Sequence, residues 1–402
     1  MSTLKMNSEN NNICYFQSGG PTAVINATFK GLFDAYLKDK SGGIFYVSPY
    51  GLSGLLEDKL IEVKKDSLPY MEFRPGSYFG SLRRKLPEDS NDPVARTLME
   101  NIRKNHIGYV FVNGGNDSMN TAYRISEYAK AYDMDIKVMG IPKTIDNDLY
   151  GCDHTPGFGT AAKYVANAVI ATSIDDKTYK KGRVNIIETM GRDSGFVAAS
   201  AILASLKGEA PDYIFVPEVP FSVDDFLAKV KKTYAEKGRC LVVVSEGIRD
   251  KDGVLIASDD SSSKDAFNNA AVGGVGKYLS ALVAKEGIKT RGIELSVLNR
   301  ASSFLPSVVD IKEAERVSAR AYKYAKRGNT GYMVALGRKN TKNYSANYTK
   351  IRLEEVSDKV VTLPKKYISK TMDNIDPSYI EYVAPLVRGN VIPLDKDGLL
   401  KI

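Results

Sequence analysis

The chain is poor in the residues on which several catalytic classes depend. Its 402 residues include two histidines, His106 and His154, three cysteines and no tryptophan. A Ser-His-Asp triad and a histidine-rich zinc site are therefore disfavoured. Three cysteines cannot form a closed disulfide framework, and no apolar run approaches the ~20 residues of a membrane span. Because residues 1–12 are polar and lack the apolar core of a secretory signal, we expect a reducing, cytoplasmic location.

The remaining composition is that of a globular protein, with 43% apolar and 26% charged residues. At roughly 100–200 residues per domain, the length predicts two domains or one large bilobed domain. The net charge is +8, but basic and acidic residues are interspersed. Runs such as Lys229-Val230-Lys231-Lys232 are therefore interpreted as solvated helix faces. We expect small anionic substrates as partners, and neither nucleic acid nor a membrane.

Short β-branched or aromatic runs alternate with longer amphipathic segments, a pattern typical of parallel, doubly wound α/β sheets. The runs predict strands at 13–17, 107–113, 136–141, 183–189, 213–216, 240–245 and 292–297. The amphipathic segments predict helices at 23–36, 121–132, 196–206, 223–237 and 268–285. Residues 258–265 are predicted to form a surface loop, and the stretch after about 342 is less regular.

Polar, glycine-rich clusters follow the carboxyl ends of most predicted strands, where open α/β sheets bind ligands. The first is Ser18-Gly19-Gly20-Pro21-Thr22, and the second is Gly114-Gly115-Asn116-Asp117-Ser118. Glycine lets backbone amides approach an anion, and the N-terminus of the following helix adds favourable partial charge. Alone, the first cluster is equally well explained as a tight strand-to-helix turn. Two such turns at one sheet edge favour a phosphate site.

A third cluster places Lys143, Asp146 and Asp148 just beyond a predicted strand. Asp146 could accept a proton from an attacking hydroxyl, Asp148 could hold Mg²⁺, and Lys143 could neutralise phosphate oxygens. Phosphoryl transfer requires these three elements. The alternative is a turn that only carries surface charges, and the neighbouring clusters disfavour it.

Three familiar ligand motifs are excluded by their details. The segment starting at Asp146 imitates an EF-hand loop, but its twelfth position is Gly157 in place of the bidentate glutamate. Gly157-Phe158-Gly159-Thr160-Ala161-Ala162 fits a dinucleotide fingerprint but does not follow an apolar strand. No G-x-x-x-x-G-K-[ST] sequence occurs, so a nucleotide pocket would not be a P-loop.

Arginine supplies a planar, bidentate fork for phosphate. Five arginines lie near predicted strand ends or in glycine- or serine-containing turns: Arg83, Arg183, Arg192, Arg291 and Arg300. Any one of them alone is equally a surface charge. Glu246, at the end of an apolar strand, could accept hydrogen bonds from sugar hydroxyls or could simply be solvated. His154 is interpreted as a loop residue and not as a catalyst.

Together these clusters resemble the phosphofructokinase family, and the similarity runs from Tyr15 to about Gly337. Its strongest parts are Gly114-Gly115-Asn116-Asp117-Ser118, Pro142-Lys143-Thr144-Ile145-Asp146-Asn147-Asp148, Met190-Gly191-Arg192 and the spaced Arg291 and Arg300. The resemblance implies an α/β fold of two doubly wound, mainly parallel-sheet lobes with the active site between them. We predict a phosphoryl-donor lobe of residues 1–157 plus about 299–350, and a sugar-phosphate lobe of residues 158–298 plus about 351–402.

The resemblance also implies residue roles. Asp146 corresponds to the base that activates the 1-hydroxyl of fructose 6-phosphate, with Thr144 and Lys143 assisting. The implied donor-binding residues are Gly19, Gly20, Arg83, Gly115, Asn116, Asp117 and Lys143. The implied sugar-binding residues are Thr144, Asp146, Arg183, Met190, Gly191, Arg192, Glu246, Arg291 and Arg300. Of these, Arg183 and Arg291 correspond to arginines that reach the site of a neighbouring subunit, which implies a homo-oligomer, dimeric or tetrameric.

The implied cofactor is Mg²⁺, near Asp148 and Asn116, held directly or through water. Many family members have aspartate where this chain has Asn116, so Asp148 would carry more of the metal binding. Val297 stands three positions before Arg300, where the family often has a histidine that binds sugar phosphate. One sugar contact is therefore lost or replaced. No effector arginines can be placed by motif, so we expect no strong nucleotide regulation.

Two residues bear on the phosphoryl donor. ATP-dependent members usually have glycine where this chain has Asp117 and Lys143. Asp117 would repel the α-phosphate of ATP, whereas Lys143 adds a cation suited to pyrophosphate. The pair resembles the pyrophosphate-dependent branch, although Lys143 alone would be a weak indicator.

The predicted reaction is therefore reversible, Mg²⁺-dependent transfer from pyrophosphate to fructose 6-phosphate, as in glycolysis and gluconeogenesis. It gives fructose 1,6-bisphosphate and phosphate. The alternatives are an ATP-dependent phosphofructokinase and a non-catalytic sugar-phosphate sensor. Sedoheptulose 7-phosphate remains a possible acceptor, because its reacting end is the same.

Overall fold

The computed structural model describes residues 11–39, 43–64, 68–257, 274–339, 344–357 and 359–402. Within these ranges the strands are β1 (Asn12–Gln17), β2 (Phe45–Val47), β3 (Ile61–Glu62), β4 (Ile107–Gly114), β5 (Lys137–Pro142), β6 (Val184–Thr189), β7 (Tyr213–Phe215), β8 (Cys240–Ser245), β9 (Thr290–Glu294), β10 (Tyr332–Arg338) and β11 (Ala346–Arg352). The α-helices are α1 (Ile25–Lys38), α2 (Leu52–Leu56), α3 (Pro93–Lys104), α4 (Asn116–Ala131), α5 (Phe158–Lys177), α6 (Phe196–Ala199), α7 (Val223–Lys237), α8 (Val275–Lys285), α9 (Ser296–Ala301), α10 (Val308–Lys326), α11 (Leu353–Val356) and α12 (Ser378–Val383). Short 3-10 helices cover Met71–Phe73, Ser200–Lys207, Lys365–Tyr367 and Ala384–Val387.

Among the described residues, the larger sheet has the strand order β11-β10-β5-β4-β1-β2-β3. Its inner strands are parallel, while β3 and β11 pair antiparallel at the two edges. Along β1, Tyr15 packs with α1 and α10 on one face, whereas Cys14 and Phe16 pack with α3 and α4 on the other. Because helices cover both faces, β1 and β4 are continuous buried runs with no polar alternation.

The smaller sheet is parallel in its described part, with the order β7-β8-β6-β9. On one face, Ile187 and Val243 pack with α5 and the short helices after β6. On the other face, Ile186 and Val242 pack with α7 and α8. The segment after β11 covers part of the first face, where α12 contributes the fully buried Tyr379.

The connections of the larger sheet place a crevice at its carboxyl edge. From β1 the chain moves to β2 and β3 on one side, and then crosses to β4 on the other side. The turns that leave β1 and β4 therefore run in opposite directions from neighbouring strand ends. Such a reversal of strand order is where open α/β sheets bind ligands. The two glycine-rich turns of the sequence leave these two strands.

The prediction of an α/β fold with two mainly parallel sheets is confirmed. The predicted strand 292–297 is wrong in its second half. There β9 ends at Glu294 and α9 begins at Ser296. Val297, the last residue of the predicted strand, lies on α9 and is more than half exposed. An apolar side chain at this position therefore does not indicate burial in a sheet.

Other differences concern the ends of elements. The predicted helix 121–132 begins earlier, at Asn116, so Asn116 and Asp117 belong to its first turn. The predicted helix 196–206 is α6 followed by a 3-10 helix. The predicted loop 258–265, and the predicted start of a helix at 268, lie outside the described residues. No helix in the described part of the chain combines the length and hydrophobicity needed to span a membrane.

Candidate active site

A cavity of about 380 Å³ opens at the carboxyl edge of the larger sheet, and loops from the smaller sheet form its other wall. It brings together fourteen of the sequence-predicted site residues: Gly19, Gly20, Arg83, Gly115, Asn116, Asp117, Lys143, Thr144, Asp146, Asp148, Met190, Arg192, Glu246 and Arg300. Thr22, Asp193 and Ser194 also line it. None of these three was predicted as a site residue. Thr22 belongs to the first glycine-rich cluster, and Asp193 and Ser194 directly follow Arg192, so their position in the sequence was the available signal.

The turn after β1 forms an anion-binding corner. At Gly20, a Cβ atom would lie 3.2 Å from Nη1 of Arg300 and 3.6 Å from Nη2 of Arg83. A side chain at position 20 would therefore occupy the space between the guanidinium groups of Arg83 and Arg300. Burial, reinforced by Arg83, lowers the pKa of Arg300. A bound anion would offset this repulsion, so the corner suits a phosphate group.

The turn after β4 adds a helix N-terminus. Gly115 caps α4, and Asn116 and Asp117 follow in its first turn. The 16-residue α4 therefore directs its unsatisfied amides and its positive end into the cavity. Asp117 is exposed at this end, where its carboxylate sets the charge next to any phosphate that binds.

Lys143 follows β5 and is 2% exposed. Its Nζ donates to the carbonyl oxygen of Ser18 at 3.2 Å and to that of Gly20. Burial lowers the pKa of Lys143 to about 7, although Asp146 acts in the opposite direction. No carboxylate in the described part of the chain forms an ion pair with Lys143, so its amine is placed to bind an anion in the cavity.

Asp146 and Asp148 occupy the loop after Lys143. Thr144 Oγ1 accepts from the Asp146 amide at 3.1 Å, and Ser194 Oγ donates to the Asp146 carbonyl at 2.9 Å. Burial raises the pKa of Asp146, whereas Lys143 lowers it. Burial, with Asp146 second, raises the pKa of Asp148 to about 7. A carboxylate whose pKa lies closer to neutrality is a stronger base for proton abstraction.

The side chains of Asn116 and Asp148 offer a place for a metal ion. Asn116 Nδ2 donates to Asp148 Oδ2 at 2.8 Å, while Asn116 Oδ1 is buried without a hydrogen-bond partner among the described residues. The described residues contain no group of three or more His, Cys, Asp or Glu side chains suited to a metal. Mg²⁺ needs less from the protein, because it typically uses one or two carboxylates together with water and substrate phosphates. The oxygen donors here fit that ion.

The opposite wall comes from the smaller sheet. After β6, Gly191 adopts φ +126°, a conformation open to glycine, and its amide donates to Glu246 Oε1 at 3.2 Å. The Met190 amide donates to Asn299 Oδ1 at 3.1 Å, so α9 fixes the same loop. Burial, with Asp146 second, raises the pKa of Glu246 to about 8. A glutamate in this state can accept or donate hydrogen bonds to hydroxyl groups.

Two predicted sugar-binding residues do not reach the cavity of their own chain. Arg183 precedes β6 at its amino end, and Arg291 lies near the start of β9, an exposed edge strand. The cavity lies at the carboxyl ends of the strands. Gly191 does not line the cavity either, but it is held against the lining residue Glu246.

His154 is buried in a charged cluster away from the cavity. Its Nδ1 lies 2.8 Å from Asp153 Oδ2, and its Nε2 lies 2.7 Å from Glu313 Oε2 and 3.0 Å from the Tyr344 hydroxyl. Arg338 Nη2 pairs with the same Asp153 oxygen, Oδ2, at 3.1 Å. Burial lowers the pKa of His154, but the bonds to Asp153 and Glu313 outweigh it and raise the value to about 9. His154 is a loop residue, as expected, but one that carries a buried charge.

This cluster predicts a pH-dependent contribution to stability. The folded pKa of His154 lies above its ordinary value, so the contribution is complete below about pH 6.5 and is lost as pH rises towards 9. We expect the free energy of unfolding of the wild type to exceed that of His154→Gln by up to about 3 kcal/mol more at pH 6.5 than at pH 9. Urea unfolding of both proteins across this range measures the difference. A gap that stays constant with pH would contradict a protonated His154.

Comparisons with known proteins identify the family of the chain. The sequence matches the family described as phosphofructokinase over residues 12–325. It is 35% identical to a pyrophosphate–fructose 6-phosphate 1-phosphotransferase from Xanthomonas campestris, covering 98% of this chain and 95% of that protein. It is 31% identical to a sulfofructose kinase from Alkalicoccus urumqiensis, covering 85% and 87%.

A similar fold is seen in a solved structure. The crystal structure of a pyrophosphate-dependent phosphofructokinase from Marinobacter aquaeolei superimposes with a TM-score of 0.87 at 32% sequence identity. The match covers 98% of this chain and 95% of that one. The resemblance found in the sequence is therefore confirmed, and the chain belongs to the phosphofructokinase family.

Proposed function

We propose that the protein transfers a phosphoryl group from pyrophosphate to the 1-hydroxyl of fructose 6-phosphate. The products are fructose 1,6-bisphosphate and phosphate, and the reaction is reversible. The observation that carries the proposal is that the buried Lys143 and the exposed Asp117 line the same cavity as Asp146 and Asp148. Full-length relatives named for the same reaction support it.

In the proposed reaction, Asp146 is the base and Thr144 assists. The C1 oxygen of the sugar forms a bond to a phosphorus atom of pyrophosphate as the bond from that atom to the bridging oxygen breaks. The hydroxyl proton passes to the Asp146 carboxylate, and phosphate leaves. The donor phosphates contact Lys143, which neutralises the charge on the leaving group.

The remaining donor-binding residues follow from the two turns. Gly19, Gly20 and Gly115 give backbone amides access to the phosphates, and Arg83 supplies a guanidinium. Asn116 and Asp148 would hold Mg²⁺, which neutralises charge on the donor phosphates. Asp117 excludes a longer donor by its charge and volume.

The sugar phosphate binds on the other wall. Met190, Gly191 and Arg192 cradle it, Glu246 bonds the sugar hydroxyls, and Arg300 reaches from α9. Arg183 and Arg291 bind the sugar phosphate of a neighbouring subunit, in a homo-oligomer with shared sites. Their positions outside the cavity of their own chain support this arrangement.

We also propose that the two lobes bind different substrates. Residues 1–157 and about 299–350 would form the donor lobe, and residues 158–298 and about 351–402 the sugar-phosphate lobe. The described strands of the larger sheet fall within 12–142 and 332–352, and those of the smaller sheet within 184–294. We place the enzyme in the cytoplasm, where its substrates are.

The test supplies fructose 6-phosphate and Mg²⁺ with pyrophosphate in one reaction and ATP in another. We expect fructose 1,6-bisphosphate with pyrophosphate alone. If product forms with ATP alone, the family assignment stands and the assignment of pyrophosphate as the donor is wrong. Product with neither, despite sugar binding in calorimetry, would indicate a sensor or a different acceptor. Since one relative is a sulfofructose kinase, a sulfonated fructose is the first acceptor to try next.

A further inference from the structure

The loop that carries Asp146 and Asp148 changes direction at a residue to which the proposed reaction gives no role. Asn147, between Asp146 and Asp148, is buried and adopts φ +59°. Residues other than glycine rarely take this left-handed conformation, and asparagine is among the few that do so when its side chain is hydrogen-bonded nearby. The backbone at Asn147 determines the directions in which the two flanking carboxylates leave the loop.

The Asn147 side chain is fixed at both ends. Its Oδ1 accepts from the Thr155 amide at 2.9 Å, which ties the loop to its own continuation. Its Nδ2 donates to the hydroxyl of Tyr382 at 2.8 Å. Tyr382 lies in α12, 235 residues further along the chain. The second bond therefore attaches the loop to a separate part of the fold.

Tyr382 is itself held rigidly. Its hydroxyl donates to the Asp153 carbonyl at 2.5 Å, so this oxygen accepts from Asn147 and donates onward. The Arg338 guanidinium lies 4.8 Å from the centre of the Tyr382 ring and donates to the Tyr382 carbonyl at 2.9 Å. Arg338 in turn pairs with Asp153, which contacts the buried His154. The hydroxyl is thus a fixed point anchored in a charged cluster.

We propose that Tyr382 is a positioning residue, which holds Asn147 in its left-handed conformation and thereby sets the orientation of Asp146 and Asp148. This inference rests on the proposed function. It assigns a role in the reaction to a residue of the C-terminal segment that does not line the cavity. Tyr382 acts through Asn147 and touches no reacting group.

The test is Tyr382→Phe, which deletes one oxygen and keeps the ring beneath Arg338. We expect kcat to fall about 10- to 100-fold, because small misplacements of reacting groups have effects of this size. The KM values for pyrophosphate and fructose 6-phosphate should stay within about threefold, since most of the residues that line the cavity lie outside the 144–148 loop.

A matched control is available on the same helix. Tyr379 is fully buried, and its hydroxyl donates to the Phe196 carbonyl at 2.9 Å, away from the Asn147 loop. Tyr379→Phe removes an equally buried hydroxyl, so it should lower the melting temperature comparably while leaving kcat within about twofold. Equal losses of kcat in the two variants would reduce Tyr382 to a structural role and overturn the proposal.

A double-mutant cycle tests the route through Asn147. Asn147→Gly keeps access to the left-handed conformation but removes the side-chain bond. In that background Tyr382→Phe should change kcat by less than about twofold, because the contact it breaks is already absent. If the kcat losses of Asn147→Gly and Tyr382→Phe multiply in the double variant, Tyr382 does not act through Asn147.

A crystal structure of Tyr382→Phe provides a readout that does not depend on turnover. We expect residues 144–148 to move and Asn147 to leave its φ of +59°. An unchanged loop would overturn the positioning role even if the wild type proved inactive with every donor. Wild-type inactivity would instead count against the proposed function alone.

Discussion

Replacing Asp146 with asparagine is expected to lower kcat for the pyrophosphate reaction by about 10³- to 10⁴-fold, since a positioned general base contributes an effect of this order. Asparagine keeps the size of the side chain but cannot take the proton from the sugar hydroxyl. Burial raises the pKa of Asp146, which favours it as a base, while Lys143 acts in the opposite direction. Fructose 6-phosphate should still bind, with a Kd within about threefold of the wild type by calorimetry.

Asp193 provides the control for Asp146. It also lines the cavity, but it pairs with Arg249 at 2.9 Å and is more than half exposed. Asp193→Asn should therefore reduce kcat by less than about tenfold, because a surface ion pair contributes little. Normal turnover in Asp146→Asn, or an equal loss in both variants, would remove Asp146 from the role of base.

The parts of the fold that the sequence predicted well are those with local signals. The helix 223–237 and the strand 240–245 coincide with α7 and β8. Ser222 caps the helix by accepting from the Asp225 amide, and Gly238 ends it with φ +70°. The predicted strand 292–297 lacked such signals, and its apolar Val297 lies exposed on α9.

The candidate site divides in the same way. Lys143, Asp146 and Asp148 could be predicted because they follow a strand end, and parallel strands place such ends at one edge. Arg83 follows no predicted strand. It was selected because it lies in a glycine- and serine-containing turn, and its donor-binding role came from the family resemblance. It reaches the site because Ser18 and Leu82 form an isolated bridge between distant segments. The bond from Tyr382 to Asn147 joins residues 235 positions apart, which no local pattern encodes.

Lys143→Met is expected to lower kcat/KM for pyrophosphate by at least about 100-fold, because the variant loses a buried charge against an anionic donor. Burial lowers the pKa of Lys143 to about 7, so part of the lysine is neutral at that pH. Pyrophosphate favours the protonated form, and its affinity in the wild type should fall as pH rises above 7. Titration calorimetry from pH 6 to 9 should show that this part of the pH dependence is absent in Lys143→Met.

Lys163→Met is the matched control for this substitution. Lys163 is also buried, and its Nζ donates to the carbonyls of Pro306 and Gly389 outside the cavity. Its replacement should lower stability and leave the KM for pyrophosphate unchanged. If kcat/KM for pyrophosphate falls by a similar factor in both variants, the loss comes from removing a buried lysine and not from the position of Lys143 beside the donor.

The double variant Asp117→Gly, Lys143→Gly tests whether these two residues select the donor. Asp117 stands exposed at the N-terminus of α4, on the path that we propose for the third phosphate group and the nucleoside of ATP. Removing its charge and volume opens that path, and removing Lys143 withdraws the cation that favours the short donor. We expect the ratio of kcat/KM for ATP to that for pyrophosphate to rise at least about 100-fold, equivalent to about 2.7 kcal/mol. Asp117→Gly alone should allow measurable ATP turnover while keeping most pyrophosphate activity. If ATP turnover stays absent in both variants, the donor is selected by other residues.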